Sequence, residues 1–214
     1  MKALITIVLS VICLASYAQN EIPKGFEKIA EKTGDLDKDG IAEKVIVYNT
    51  PDSGDGGIVR ELQILKQSGN IWTVWQKSKA AILKSQEGGM MGEPFQEIEI
   101  EKGIMIITFA GGSSWKWSHA DKYRFQENEF RLIGYSSSFG KPCEYWGDFD
   151  FNLLTGKIIY KKEYEKCEDE RDQKKVEKTE AETFFKKGIH YNLSNRYLKD
   201  TRIITPKYKH DLYL

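Results

Sequence analysis

Apolar residues recur at every second position along most of this chain, and that alternation limits its fold more than any other feature. A period of two places one row of side chains on each face of an extended strand, whereas a helix would need a period near 3.6. Leu62 and Ile64 form one such row, Ile71, Thr73 and Trp75 another, and Phe149, Phe151 and Leu153 a third. Ile158, Tyr160 and Tyr164 continue the pattern. Between the rows stand Gly69-Asn70, Gly103, Glu127-Asn128-Glu129 and Thr155-Gly156, which are turn-forming residues. Short strands joined by such turns imply a mainly β, antiparallel meander. Ile104 to Phe109 is apolar on both faces and reads as a central strand. Helix is expected at two places at most. One is around Phe26, Ile29 and Ala30, cut short by Gly34, and the other is Val176 to Lys187, with Ala181, Phe184 and Phe185 on one face. No glycine-rich phosphate loop follows a strand, which disfavours a nucleotide-binding α/β fold.

Residues 1–18, MKALITIVLSVICLASYA, read as a cleaved secretory signal peptide, with Lys2 ahead of an apolar run and Ser16 and Ala18 before the cut. Residues 19–214 then form a single β-rich domain, exported to the periplasm or the medium. Later apolar stretches are too short to span a membrane. Basic and acidic residues balance at 32 each. A nucleic-acid binder would carry a basic excess, so the expected partner is a protein or a glycan, and the expected state is a monomer. The mixed-charge stretch Lys161 to Lys187 reads as a solvated face. Cys13 leaves with the signal, so Cys143 and Cys167 remain, an even pair that an oxidising compartment joins as a disulfide. Closing a loop of that size contributes about 3 kcal/mol in the chain-entropy model.

The most specific motif is Gly34-Asp35-Leu36-Asp37-Lys38-Asp39-Gly40-Ile41-Ala42-Glu43, followed by the β-branched run Lys44-Val45-Ile46-Val47-Tyr48. Aspartates at relative positions 1, 3 and 5 converge when the chain wraps tightly, and Gly40 permits the sharp turn. Ile41 can offer its carbonyl and Glu43 a further carboxylate. Hard oxygen donors of this kind suit calcium. Position 12 is Ile46 where an EF-hand has glutamate, and a strand follows where an EF-hand has a helix. The segment resembles the calcium loop of FG-GAP and VCBS-type repeats, the modules of integrin-like β-propellers. That resemblance implies Asp35, Asp37, Asp39 and Glu43 as side-chain ligands of a structural calcium and Ile41 as a backbone ligand. It covers about 15 residues and occurs once, so the expected architecture is at most a partial or degenerate propeller-like assembly. Asp52-Ser53-Gly54-Asp55-Gly56-Gly57 reads as a flexible connection.

A second constellation is Trp115-Lys116-Trp117-Ser118-His119-Ala120-Asp121. If Trp115 opens a strand, then Trp115, Trp117 and His119 share one face, either as core or as a ligand platform. Serine, histidine and aspartate adjacency also invites a hydrolase reading, without a G-x-S-x-G elbow to support it. Glu97, Glu99 and Glu101 fall on one strand face, expected to be the solvent side, and His190 and His210 are expected to be exposed. The functional expectation is an exported binding or scaffolding module with a structural calcium loop. The alternative is a secreted hydrolase or carbohydrate-binding protein acting on cell-envelope or extracellular polymers.

Overall fold

A computed structural model describes residues 22–167, 174–198 and 200–214. The segment expected to be a signal peptide, residues 1–18, lies outside the described residues. Strands β1 (Glu27–Gly34), β2 (Glu43–Gly54), β3 (Gly57–Ser68) and β4 (Ile71–Ser78) make a four-stranded sheet in chain order. Strands β5 (Phe95–Glu101), β6 (Ile104–Gly112), β7 (Lys116–Gln126), β8 (Glu129–Lys141), β9 (Tyr145–Asn152), β10 (Lys157–Cys167) and β11 (Lys174–Phe185) make a seven-stranded sheet, also in chain order. Strands β12 (Arg202–Ile204) and β13 (Asp211–Tyr213) pair as a C-terminal hairpin. All pairings are antiparallel, so the expected meander is what the chain forms.

The turns follow from local chemistry. Lys102-Gly103 joins β5 to β6 and Glu127-Asn128 joins β7 to β8, with all four residues in the left-handed region (φ 52°, 78°, 53° and 64°). Two successive positive φ angles make a type I′ turn, whose twist matches that of paired strands.

Neither helix candidate is a helix. Ile29 and Ala30 lie in β1 at a β-bulge, where the register slips between Lys28 and Ala30. The bulge lets both neighbours pack against the core, which is why their spacing imitates a helical stripe. Val176 to Phe185 lies in β11, paired with β10 along its length apart from a bulge at Glu177. There Phe184 packs against the core while Phe185 is 66% exposed, the opposition of neighbours that only a strand gives. Among the described residues the only helical element is a 3-10 turn at Gly89–Met91, and no helix is long and apolar enough to cross a membrane. Among them, too, only the first sheet has the four strands of a propeller blade.

Both sheets feed one core. Val45, Val47, Leu62 and Ile64 from the smaller sheet join Met105, Ile107, Phe109 and Phe151 from the larger. Fully burying such a side chain stabilises the fold by about 1.5–3 kcal/mol. Strand β6 is internal to its sheet, as its apolar run implied, but the residues between Met105, Ile107 and Phe109 are only half-buried. Its second face is therefore an outer surface of the sheet and not a second core. The C-terminal segment returns to this core through Tyr191, Leu193, Ile203 and Leu212, tied to β8 by the Leu132 N–H donating to the Tyr191 carbonyl at 2.9 Å.

Candidate ligand cleft and acidic loop

The core does not use the whole inner face of the seven-stranded sheet. Toward one end that face and the C-terminal hairpin border a cleft of about 660 Å³. Period-two alternation delivers its walls: Trp117 and His119 from β7, Tyr135 and Phe139 from β8, Phe149 from β9 and Tyr160 from β10. Leu212 is the one aliphatic side chain among the described residues lining it. Gly147 lies in its floor, paired across the ladder with Phe139 on one side and Lys162 on the other. A Cβ added there would meet nothing nearer than the Tyr160 hydroxyl at 3.7 Å, so the missing side chain leaves open space.

Trp115 corrects the sequence reading. It sits in the turn before β7, which starts at Lys116, and it does not line the cleft. Its ring lies parallel to Phe139, 5.4 Å between centroids at 9°, and tilted to Tyr145 at 5.0 Å. It therefore props two cleft-lining rings from behind. Trp117 and His119 do share the inner face, stacked at 5.5 Å and 16°. Gly111 makes room for this arrangement: a Cβ at that position would come within 2.5 Å of the Trp117 ring.

Beneath the cleft floor runs a buried polar network. Asp121 is fully buried and forms a two-point pair with Arg196, Nε–Oδ2 2.7 Å and NH2–Oδ1 3.0 Å. Tyr123 and Tyr197 also donate to Asp121 Oδ2, at 3.2 and 3.3 Å. The Arg196 guanidinium lies 4.6 Å from the Tyr197 ring centroid and 5.3 Å from that of Tyr135. His119 Nε2 is 2.9 Å from the Tyr197 hydroxyl. Burial pushes the His119 pKa down to about 4, with Asp121 opposing and Arg196 reinforcing the shift, so the ring is neutral at pH 7. Burial also raises the Tyr135 hydroxyl to about 12. This is not a hydrolytic triad. His119 is bonded to a tyrosine, Asp121 to an arginine, and no serine hydroxyl bonds His119 among the described residues. Neither Arg196 nor Tyr197 stood out in the sequence; the one available signal was Asp121 falling two residues after His119 on the same strand face, a buried carboxylate that needs a cation.

The cleft rim carries the charges. Asp211, the one carboxylate lining it among the described residues, is paired with Arg202 through Nε–Oδ1 at 2.8 Å and NH2–Oδ2 at 2.9 Å. His210 is half-buried, contrary to expectation, because its Nε2 lies 2.6 Å from Glu180 Oε2. Lys178 donates to the other Glu180 oxygen at 2.5 Å. Those two hydrogen bonds, Lys178 first, hold the Glu180 carboxyl down at about 2. His190 is exposed as expected, with Arg131 beside its Nδ1. Glu97, Glu99 and Glu101 are exposed on β5, away from the cleft. The Cys143–Cys167 disulfide is present, Cα–Cα 5.2 Å. It fastens the β8–β9 turn to the end of β10, directly beyond the paired residues Tyr145 and Tyr164.

The acidic loop joins β1 to β2. Asp35, Asp37 and Asp39 each bring one carboxylate oxygen within 4.8 Å of the others. Gly40 takes φ 88° there, and its N–H donates to Asp35 Oδ2 at 3.1 Å. The Ile41 N–H donates to Asp39 Oδ1 at 2.7 Å. Asp35 Oδ1 is buried without a hydrogen-bond partner, which leaves lone pairs for a cation. Glu43 stands outside this group of three. It is buried, accepts the Leu36 N–H at 2.7 Å, and burial raises its carboxyl above the usual range, reinforced by Asp37 and Asp39. The Lys66 ammonium contacts Asp37 and lies 3.8 Å from both Asp39 and Glu43, over the Trp75 ring at 4.2 Å. A lysine thus supplies positive charge to these carboxylates. The second acidic stretch is not the loop its sequence implied: residues 52–54 end β2 and Gly57 opens β3, leaving Asp55-Gly56 as the turn, and Asp52 pairs with Lys79 at 2.6 Å.

No protein-family model matches the sequence, and neither a curated protein nor a solved structure matches it.

Proposed function

We propose that this protein is an exported binding module that holds ring-shaped, hydroxyl-rich ligands, of the carbohydrate class, in the aromatic cleft. The observation that carries the reading is the cleft itself, about 660 Å³ with aromatic walls, inside the range of about 300–1,000 Å³ typical of small-ligand sites. Aromatic faces offer flat apolar area to the C–H face of a sugar, and hydroxyl groups beside them meet its rim. Ser137 and Tyr160 supply such groups here. Binding is favoured over hydrolysis because the available acid–base groups are already engaged. Asp211 is held by Arg202, and the neutral His119 is held by Tyr197. The apolar amino-terminal run and the disulfide support export.

The acidic loop takes a structural part in this reading. Asp35, Asp37 and Asp39 would hold one calcium, which would neutralise their mutual repulsion and tie β1 to β2. Three oxygens within 4.8 Å, one of them unpartnered, suit an ion that binds oxygen at about 2.3–2.6 Å. Resemblance to the FG-GAP and VCBS-type loop supports the same assignment. Calcium there would be remote from any chemistry.

Gly147→Val tests the binding role. The open space above Gly147 accepts the new side chain without backbone strain, so the fold should persist while the cleft fills. Tryptophan fluorescence titrated with oligosaccharides should report saturable binding to the wild type and none to Gly147→Val. Equal binding to both would place the ligand elsewhere.

A further inference from the structure

We propose that the ligand of the cleft is an acidic sugar, its ring against the aromatic wall and its carboxylate on Lys162. The proposal rests on reading the cleft as the binding site. Three observations select the acid.

Lys162 lines the cleft, directly across the ladder from Gly147, which has no side chain to cover it. Its ammonium lies 3.7 Å from the Tyr145 ring centroid and 4.8 Å from that of Tyr164. These rings orient a cation without neutralising it. Among the described residues no carboxylate lies within ion-pair distance of Lys162, although it faces Glu180 across β10 and β11. Glu180 is taken by Lys178 and His210, and Asp211 by Arg202. Lys162 is therefore the one lysine or arginine among the described residues lining the cleft, and it forms no ion pair there. Its pKa is lowered, chiefly by burial, with Glu180 offsetting that shift in part and Lys178 adding to it.

The walls select the rest of the ligand. A fatty acid would also present a carboxylate, but its chain needs an aliphatic tunnel, and Leu212 is the sole aliphatic lining residue among those described. Flat aromatic faces fit a ring, and serine and tyrosine hydroxyls fit its substituents. A charge-assisted hydrogen bond in a partly desolvated cleft should favour the acid by about tenfold or more.

The experiment is calorimetric titration of the disulfide-bonded mature protein with a galacturonic-acid hexamer, its methyl ester, a neutral glucose hexamer and a glutamate hexapeptide. The acid should bind about tenfold or more tighter than the ester or the neutral sugar. Lys162→Met should bring acid and ester to the same weak affinity, and Trp117→Ala should weaken both. Equal affinity of acid and ester for the wild type would overturn the carboxylate contact and leave the cleft reading standing. Equal binding of the peptide would overturn the sugar. Binding by none of the four would overturn this proposal and count against the cleft as a sugar site. Unchanged preference in Lys162→Met would remove Lys162 from it.

Discussion

Replacing Arg196 with methionine probes the pair that fastens the C-terminal segment beneath the cleft. Asp121 and Arg196 are 0% and 1% exposed, and Asp121 accepts four hydrogen bonds, two of them from the guanidinium. Methionine retains most of the apolar stem between the rings of Tyr135 and Tyr197 but leaves the carboxylate with two phenol donors. Removing one partner of a buried pair costs about 3–5 kcal/mol, because the remaining charge is neither solvated nor matched. Taking about 4 kcal/mol, unfolding of a domain this size should begin about 10 °C lower. The assay is urea unfolding followed by tryptophan fluorescence with the disulfide intact. The double variant Asp121→Leu/Arg196→Met carries neither charge and should recover at least half of the loss. A loss below about 1 kcal/mol in Arg196→Met, or no recovery in the double variant, would refute the reasoning.

Asp37→Ala should abolish any rise in melting temperature that millimolar calcium gives the wild type, while a chelator leaves wild type and variant alike in fold by circular dichroism. Lys66→Met removes the ammonium that calcium would displace, and should tighten calcium binding by about twofold to fivefold in a calorimetric titration, the worth of a partly exposed ion pair. Cys143→Ala/Cys167→Ala should lose about 3–4 kcal/mol in urea unfolding, as should reduction of the wild type, since the bridge closes a loop with a sequence separation of 24. Acid should destabilise the fold through His119. Its pKa is near 4 when folded and 6.5 when free, so the unfolded chain binds the extra proton between those values. The His119 contribution, about 3 kcal/mol, is complete above pH 6.5 and lost as pH falls toward 4. The pH dependence of stability across that window should flatten in His119→Phe.

The sequence displayed the meander because period-two alternation and turn residues are local signals. Gly69-Asn70 and Glu127-Asn128 mark hairpins through backbone preferences that no distant residue alters. The helix expectations failed where a local signal was ambiguous. A bulge at Ile29 and Ala30 gave neighbours the same side, and β11 carries charges on both faces because it is an edge strand. The disulfide was legible from the even cysteine count together with the expectation of export. Half of the cleft was legible too: Trp117 and His119 fell on one face by alternation, and Trp115 did not because the ladder starts one residue later. Lys162, Arg196 and Tyr197 were not legible. Lys162 sits within a stretch of mixed charge where nothing marks one lysine as unpaired. Arg196 reaches Asp121 across 75 residues of sequence, a pairing that only the closed core defines.

A ligand held on the inner face of β7 to β10 would perturb the backbone amides of that face. The most direct measurement is backbone amide chemical-shift mapping of the isotope-labelled, disulfide-bonded protein titrated with a galacturonic-acid hexamer. Saturable shifts should be confined to residues 117–119, 137–139, 145–149, 160–162 and 210–213. Shifts centred on the acidic loop or on the outer face of the sheet, with these amides unmoved, would contradict that placement.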